Sequence, residues 1–229
     1  MVQRAILFLS LGVIPPLFAD NQDDLFLGIE SVTGLRSDYI YRGFQLADAS
    51  LDVQIETEIA LENDLFVGLA AWHVAESSGD FSETAFGVSL HKNIANYRFS
   101  GSLDYRSFSE SFFDDGVDLG IKAQWLPNEN WDFAARAHYD FGVEGSYFAI
   151  EGGWSHPLAK DLFIAAEAGI SAVSDYLDRD GLNDFNGRVS LTYNINSYLS
   201  LTPFVGYSIA LASEADDEAY AGVRLAVSF

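Results

Sequence analysis

Along most of its length the chain falls into short runs in which apolar and polar residues alternate strictly. The run ending at Phe229 is the cleanest. Ala219, Ala221, Val223, Leu225, Val227 and Phe229 share one face, and Tyr220, Gly222, Arg224, Ala226 and Ser228 share the other. A period of two marks a β-strand whose faces meet different surroundings. The same rhythm recurs upstream. Trp131, Phe133, Ala135, Ala137, Tyr139 and Phe141 oppose Asp132, Arg136, His138 and Asp140, while Leu51, Val53, Ile55, Ile59 and Leu61 oppose Asp52, Gln54, Glu56 and Glu58. Segments 117–125 and 185–195 behave likewise. An amphipathic helix would space its apolar residues three and four apart, and these segments do not.

The pattern predicts twelve strands, near 25–36, 50–62, 65–76, 82–92, 96–106, 116–126, 131–142, 145–156, 161–173, 183–195, 198–211 and 217–229. Most run ten to fourteen residues, enough for a tilted strand to cross a bilayer. Tight turns at Asn63-Asp64, Asn93 to Ala95, Pro127 to Asn130, Pro157 to Lys160 and Asn196-Ser197 alternate with other links. Those links are mostly longer, at 37–49, 77–81, 107–115, 174–182 and 212–216, with a short one at 143–144. Outer-membrane barrels have short periplasmic turns and longer outer loops. The expected fold is therefore an all-β, transmembrane antiparallel β-barrel of twelve strands with both termini periplasmic. Two aromatic levels agree with it: Tyr97, Trp125, Trp131, Trp154, Tyr193 and Phe229 near one rim, and Tyr105, Tyr139, Phe141, Phe148 and Tyr207 near the other. The competing architecture is a soluble sandwich or lipocalin-like barrel, with its apolar face turned inward.

Composition narrows the setting. Residues 1–19 read as a secretory signal peptide, with Arg4 as the basic start, an apolar stretch from Ala5 to Val13, a Pro15-Pro16 break and Ala19 before the cut. The stretch is too short to anchor the chain across a bilayer, which takes about 20 residues. Residues 20–229 are then one domain. With no cysteine, neither lipoprotein processing nor a disulfide framework is available. The 34 Asp plus Glu against 12 Lys plus Arg argue against a nucleic-acid partner. Apolar residues at 49% argue against disorder.

Ser37-Asp38-Tyr39-Ile40-Tyr41-Arg42-Gly43 resembles the S-D-Y-x-x-R-G signature of the TorF-like porin family, and Gln45 matches a further common position. The resemblance implies a small outer-membrane barrel acting as a channel. Read as extended chain, Asp38 and Arg42 share a face and Tyr39 and Tyr41 take the other, predicting an inner ion pair and an outer aromatic pair at the rim. Ser174-Asp175-Tyr176-Leu177-Asp178-Arg179 echoes the motif. The final strand, with Val223, Leu225, Val227 and Phe229, resembles the signal read by the barrel-assembly machinery.

The polar faces carry many charges. Arg36, Glu56, Arg98, Lys122, Arg136 and Arg224 are the pore-lining candidates, setting the charge of a narrow water-lined lumen in which excess carboxylates favour cations. The expected function is passive passage of small solutes or ions. Outer-membrane lipid, lipopolysaccharide and the assembly machinery are the expected partners. A barrel enzyme of lipase or deacylase type is the first alternative, and a non-conducting structural or adhesion barrel the second. No catalytic residue, cofactor or metal is predicted. His73, His91, His138 and His156 are scattered, and no lipase or protease signature accompanies them. The acidic stretches at Asp114-Asp115, Asp175 to Asp184 and Glu214 to Glu218 read as solvated loops.

Overall fold

The structure, a computed structural model, describes residues 27–212 and 216–229. The predicted signal peptide at 1–19 and Glu214 lie outside the described residues. In chain order the strands are β1 (Leu27–Arg36), β2 (Tyr39–Tyr41), β3 (Phe44–Ala47), β4 (Ser50–Ala60), β5 (Leu65–Glu76), β6 (Ser82–Ile94) and β7 (Tyr97–Ser109). They continue as β8 (Gly116–Trp125), β9 (Trp131–Asp140), β10 (Gly145–Ala159), β11 (Leu162–Tyr176), β12 (Arg179–Asn194), β13 (Leu199–Ala210) and β14 (Glu218–Ser228). All but β2 and β3 form one closed antiparallel barrel of twelve strands, each paired with its neighbours and sealed by β1 against β14. Closure leaves no strand edge unpaired, which a lipid setting demands. Among the described residues there is no helix.

Alternation fixes which way each side chain faces. Leu35, Ile55, Leu90, Ile121, Ile150 and Val205 stand exposed on the outer surface, Ile121 at 65% of its full accessibility. Their strand neighbours turn inward, so the apolar residues form the outside and the charges line the lumen. This inverts a soluble barrel. Trp125, Trp131, Tyr97, Tyr193 and Phe229 are exposed on the outside near the short-turn end, and Tyr105, Tyr139, Phe141, Phe148 and Tyr207 near the loop end. Two aromatic girdles therefore flank an apolar band.

The short-turn end matches the expected turns closely. Asn63 and Asp64 both take positive φ, 60° and 57°, as a two-residue hairpin turn requires. The loop end departs from expectation twice. The stretch 174–182 is not a long link: β11 and β12 run on to a two-residue turn at Leu177-Asp178, both with positive φ. The acidic stretch Asp175 to Asp184 is not all solvated, since Asp184 is buried in the lumen wall. The second departure is larger. The stretch 37–49 contains the β2–β3 hairpin, which leaves the barrel wall and enters the lumen.

Candidate functional site

The hairpin turns at Arg42 and Gly43, whose φ angles of 52° and 79° fit the primed turn that a right-twisted hairpin needs. Glycine is also required by space. A Cβ at Gly43 would lie 2.6 Å from Nδ2 of Asn183. Tyr39, Phe44 and Ala47 of the hairpin are buried. Phe44 packs with Phe113, Tyr147, Ala149, Val173 and Tyr176, and Tyr39 with Ala47, Val74 and Phe81. The wall residues among these face inward, so the loop-end half of the lumen has an apolar, aromatic filling. Phe113, carried by the link between β7 and β8, caps it edge-on against Phe44 at 5.7 Å between centroids.

Polar contacts fasten the filling to the wall. Arg42 reaches Asp118 of β8 at 2.5 Å and Asp140 of β9 at 3.5 Å, and it donates to the Tyr176 hydroxyl at 2.9 Å. Its guanidinium also lies over the rings of Tyr41 and Tyr147, at 5.0 and 5.1 Å. Asp118 is shared with Nδ1 of His138, 2.6 Å away. On the opposite side Tyr39 donates to Glu83 at 2.6 Å, and Arg106 pairs with the same carboxylate. The hairpin lies outside the spanning strands, and burial, then Glu83, hold the Tyr39 phenol well above its ordinary pKa. It remains a donor throughout the physiological range. Beneath Tyr39, Arg36 holds Asp52 at 2.9 Å and stacks on Tyr39 and Trp72.

A β-bulge supplies the last anchor. Ile170 pairs with Phe185 and Ala172 with Leu182, so Ser171 faces both Asn183 and Asp184. Such a bulge re-aims side chains. Here two consecutive residues point inward and both are buried. Asp184 accepts from Ser171, Asn186 and Ser208, while Asn183 donates from Nδ2 to the carbonyl of Arg42 at 2.8 Å.

These contacts correct the expected rim device. Asp38 does not pair with Arg42, because the chain turns at Arg42 instead of running extended; Asp38 accepts from Gln45 at 3.0 Å. Tyr39 and Tyr41 sit inside the lumen, not outside at the rim. The echo at Ser174 to Arg179 meets the motif it resembles: Tyr176 bonds Arg42, and the Arg179 guanidinium lies 4.0 Å over the Phe44 ring. Asn183 was not legible as a hairpin anchor, because the β11–β12 bulge breaks the alternation that reads out inward positions, whereas Glu83 lies on an unbroken strand and only the inward course of the hairpin brings Tyr39 to it.

All six pore-lining candidates face the lumen, at different heights. Arg36 is committed to Asp52 beneath the hairpin. Arg98, Lys122 and Arg136 lie on three adjacent strands toward the short-turn half, with Arg98 on Asn93 at 2.9 Å and Arg136 paired with Glu151. Glu56 lies directly across the β1–β4 ladder from Glu30, with Glu58 two residues on. Arg224 faces Thr202 across the β13–β14 ladder. Between Glu167 and Arg188, paired at 2.7 Å, the wall leaves a cavity of about 20 Å³, room for about one water molecule.

The histidines are spread around the barrel. His73 is on the outer face, bonded to Thr84 at 2.9 Å. His91 lies 3.0 Å from Glu58 and is stacked on Phe66. His156 stacks on Trp154. His138 is engaged by Asp118, and Ser102, the nearest hydroxyl across Gly120, bonds Asp104. Among the described residues no serine hydroxyl bonds a histidine.

No family profile matches the sequence, and no curated protein matches it. Solved structures do match the fold. A KdgM porin superposes with a TM-score of 0.57 at 12% identity, over 88% of this chain and 99% of that one. The NanC porin gives 0.56 at 12% identity, over 88% and 98%. The COG4313 outer membrane channel from Pseudomonas putida F1 gives 0.61 at 14% identity, over 93% and 100%. At these identities the likeness is one of fold.

Proposed function

We propose that this protein is an outer-membrane porin-like channel for small solutes, with its loop end outward and its outer half constricted by the β2–β3 hairpin. The observation that carries this reading is the inside-out closed barrel, apolar outside and charged within. Porins and channels share the fold, which supports the reading by analogy. The resemblance to TorF-like porins rests on Ser37 to Gly43, the stretch that enters the lumen. Lipid and lipopolysaccharide surround the barrel in this reading. The barrel-assembly machinery reads its last strand, and it carries out no catalysis.

Small cations are mildly preferred. Asp52, Asp118, Asp140, Glu83, Glu151 and Glu167 are neutralised by arginines. Glu30 and Glu56 instead accept from Ser228 and Gln54, and no basic residue lies within ion-pair distance of either among the described residues. Unpaired carboxylates in a narrow lumen attract cations.

A second reading has one observation in its favour. Aromatic packing of Phe44, Phe113, Tyr147 and Tyr176 across the outer half suits a closed, structural barrel. Single-channel recording of the refolded protein in a planar bilayer under a salt gradient separates the two. Discrete steps with a cation-selective reversal potential support the channel. Silence from the native barrel and from one lacking residues 39–47 leaves the structural role.

A further inference from the structure

The aromatic girdles do not run all the way round the barrel. Outward-facing rings are carried by β6 to β10 and by β12 and β13, and β11 lies between two strands that have them. Four neighbouring strands, β14, β1, β4 and β5, carry none; only Phe229, just past β14, stands at their foot. These strands do not lack aromatic residues. Tyr220, Phe66 and Trp72 all turn into the lumen. Interfacial rings gather where a barrel meets lipid headgroups. A face that sends its rings inward and leaves both rims bare is not shaped to meet them.

The same face interrupts the apolar band at mid-height. Ser31 and Thr33 lie on the outside of β1, beside Ile55 and Val53 of β4 and Val227 and Leu225 of β14. Thr33 is exposed. Outward Thr84, Ser107 and Ser146, on other strands, sit at the loop end instead. A hydroxyl group facing hydrocarbon finds no partner there. Serine and threonine both donate and accept, so either can bond its own copy across a two-fold axis. The outside of these four strands carries no Asp, Glu, Lys or Arg, which leaves nothing for a charged partner to recognise. Leu35, Leu51, Ile55 and Leu69 give it an exposed apolar surface without projecting rings, on which two walls can approach closely.

The strip is large enough for a stable contact. From Tyr207 of β13 to Phe86 of β6 is five strand spacings, roughly 24 Å at about 4.8 Å each. Over an apolar band about 25 Å tall, two copies would bury on the order of 1,200 Å², the lower end of specific interfaces.

We propose that the outer face of β14, β1, β4 and β5 is the interface of a symmetric dimer, covered by the same face of a second copy of this chain, with Ser31 and Thr33 close to the two-fold axis. Aliphatic packing supplies the contact, and the paired hydroxyls fix its register. The two lumens stay separate, because the lumen-lining side chains lie on the other side of the wall. The interface rests on the barrel's place in a bilayer and not on conduction.

The chain has no cysteine, so single cysteines report without background. Ser31→Cys, Thr33→Cys and Ile55→Cys are each refolded into phospholipid vesicles at high lipid excess and treated with a short bismaleimide, which does not demand disulfide geometry. A covalent dimer is expected from at least one of the three. None is expected from Ile121→Cys, outward on β8 across the barrel. Val53→Trp, added to the cross-linking variant, should cut the dimer yield severalfold, with heat-modifiable gel mobility showing the barrel intact. No dimer from any strip position, equal yield from Ile121→Cys, or a yield untouched by Val53→Trp overturns the interface. A conducting barrel that stays monomeric refutes the interface alone, and a silent barrel that pairs refutes the channel alone.

Discussion

The Nδ2 atom of Asn183 donates to the main-chain carbonyl of Arg42 at 2.8 Å, across 141 positions of sequence. One end of this bond is the tip of a hairpin that has left the barrel wall. The other is a bulge in β12 that turns two successive side chains inward. The clamp and the Arg42 ion pairs together decide whether the outer half of the lumen stays filled.

Arg42→Gln leaves Asp118 and Asp140 without their cation, Asp118 keeping only His138. Removing one partner from a buried ion pair costs about 3–5 kcal/mol. The hairpin should lose its seat while the barrel persists. Single-channel recordings are expected to show larger unitary conductance than the native protein, with folding followed by heat-modifiable gel mobility. Unchanged conductance would mean that the hairpin does not set the constriction.

Asn183→Ala removes the clamp and keeps the ion pairs. A net loss of about 1–3 kcal/mol is expected for the unsatisfied carbonyl. Hydrogen exchange of residues 39–47 should accelerate, while the amides of β8 and β9 keep their protection. Equal acceleration throughout the barrel would point to a global defect.

Glu30 and Glu56 are cross-strand neighbours of like charge, an arrangement that disfavours the ladder. Glu56→Gln should relieve it and also reduce cation preference. The reversal potential under a salt gradient should move toward zero, with Arg136→Gln moving it the opposite way.

Ile121 faces outward and Lys122 inward on the same strand. Ile121→Lys should cost about 2–4 kcal/mol near the bilayer midplane, read from urea titration of the barrel folded into phospholipid vesicles. A neutral result would place water, not lipid, against that face.

How much of this was legible in the sequence differs from element to element. Val223, Leu225 and Val227 alternate without a break, and their strand pairs with β1 and β13 in the expected sense. Asn63 and Asp64 announced their turn. The inward orientation of Arg36, Glu56, Arg98, Lys122, Arg136 and Arg224 followed from parity alone. Parity cannot say which inward residues meet, because those contacts cross the lumen between distant strands. Arg42 met Asp118 and Asp140, not Asp38, for that reason.

The sequence by itself determined the strands of the barrel wall, their number and the two faces, because each depends on local alternation repeated along the chain. The tertiary structure alone decided where residues 37–49 go. Their aromatic side chains would suit the rim or the lumen equally well by local pattern. Only barrel closure sets Glu83, Asp118, Asp140 and Asn183 around one space, and that space gives Tyr39 and Arg42 partners that no extended segment at the rim could reach.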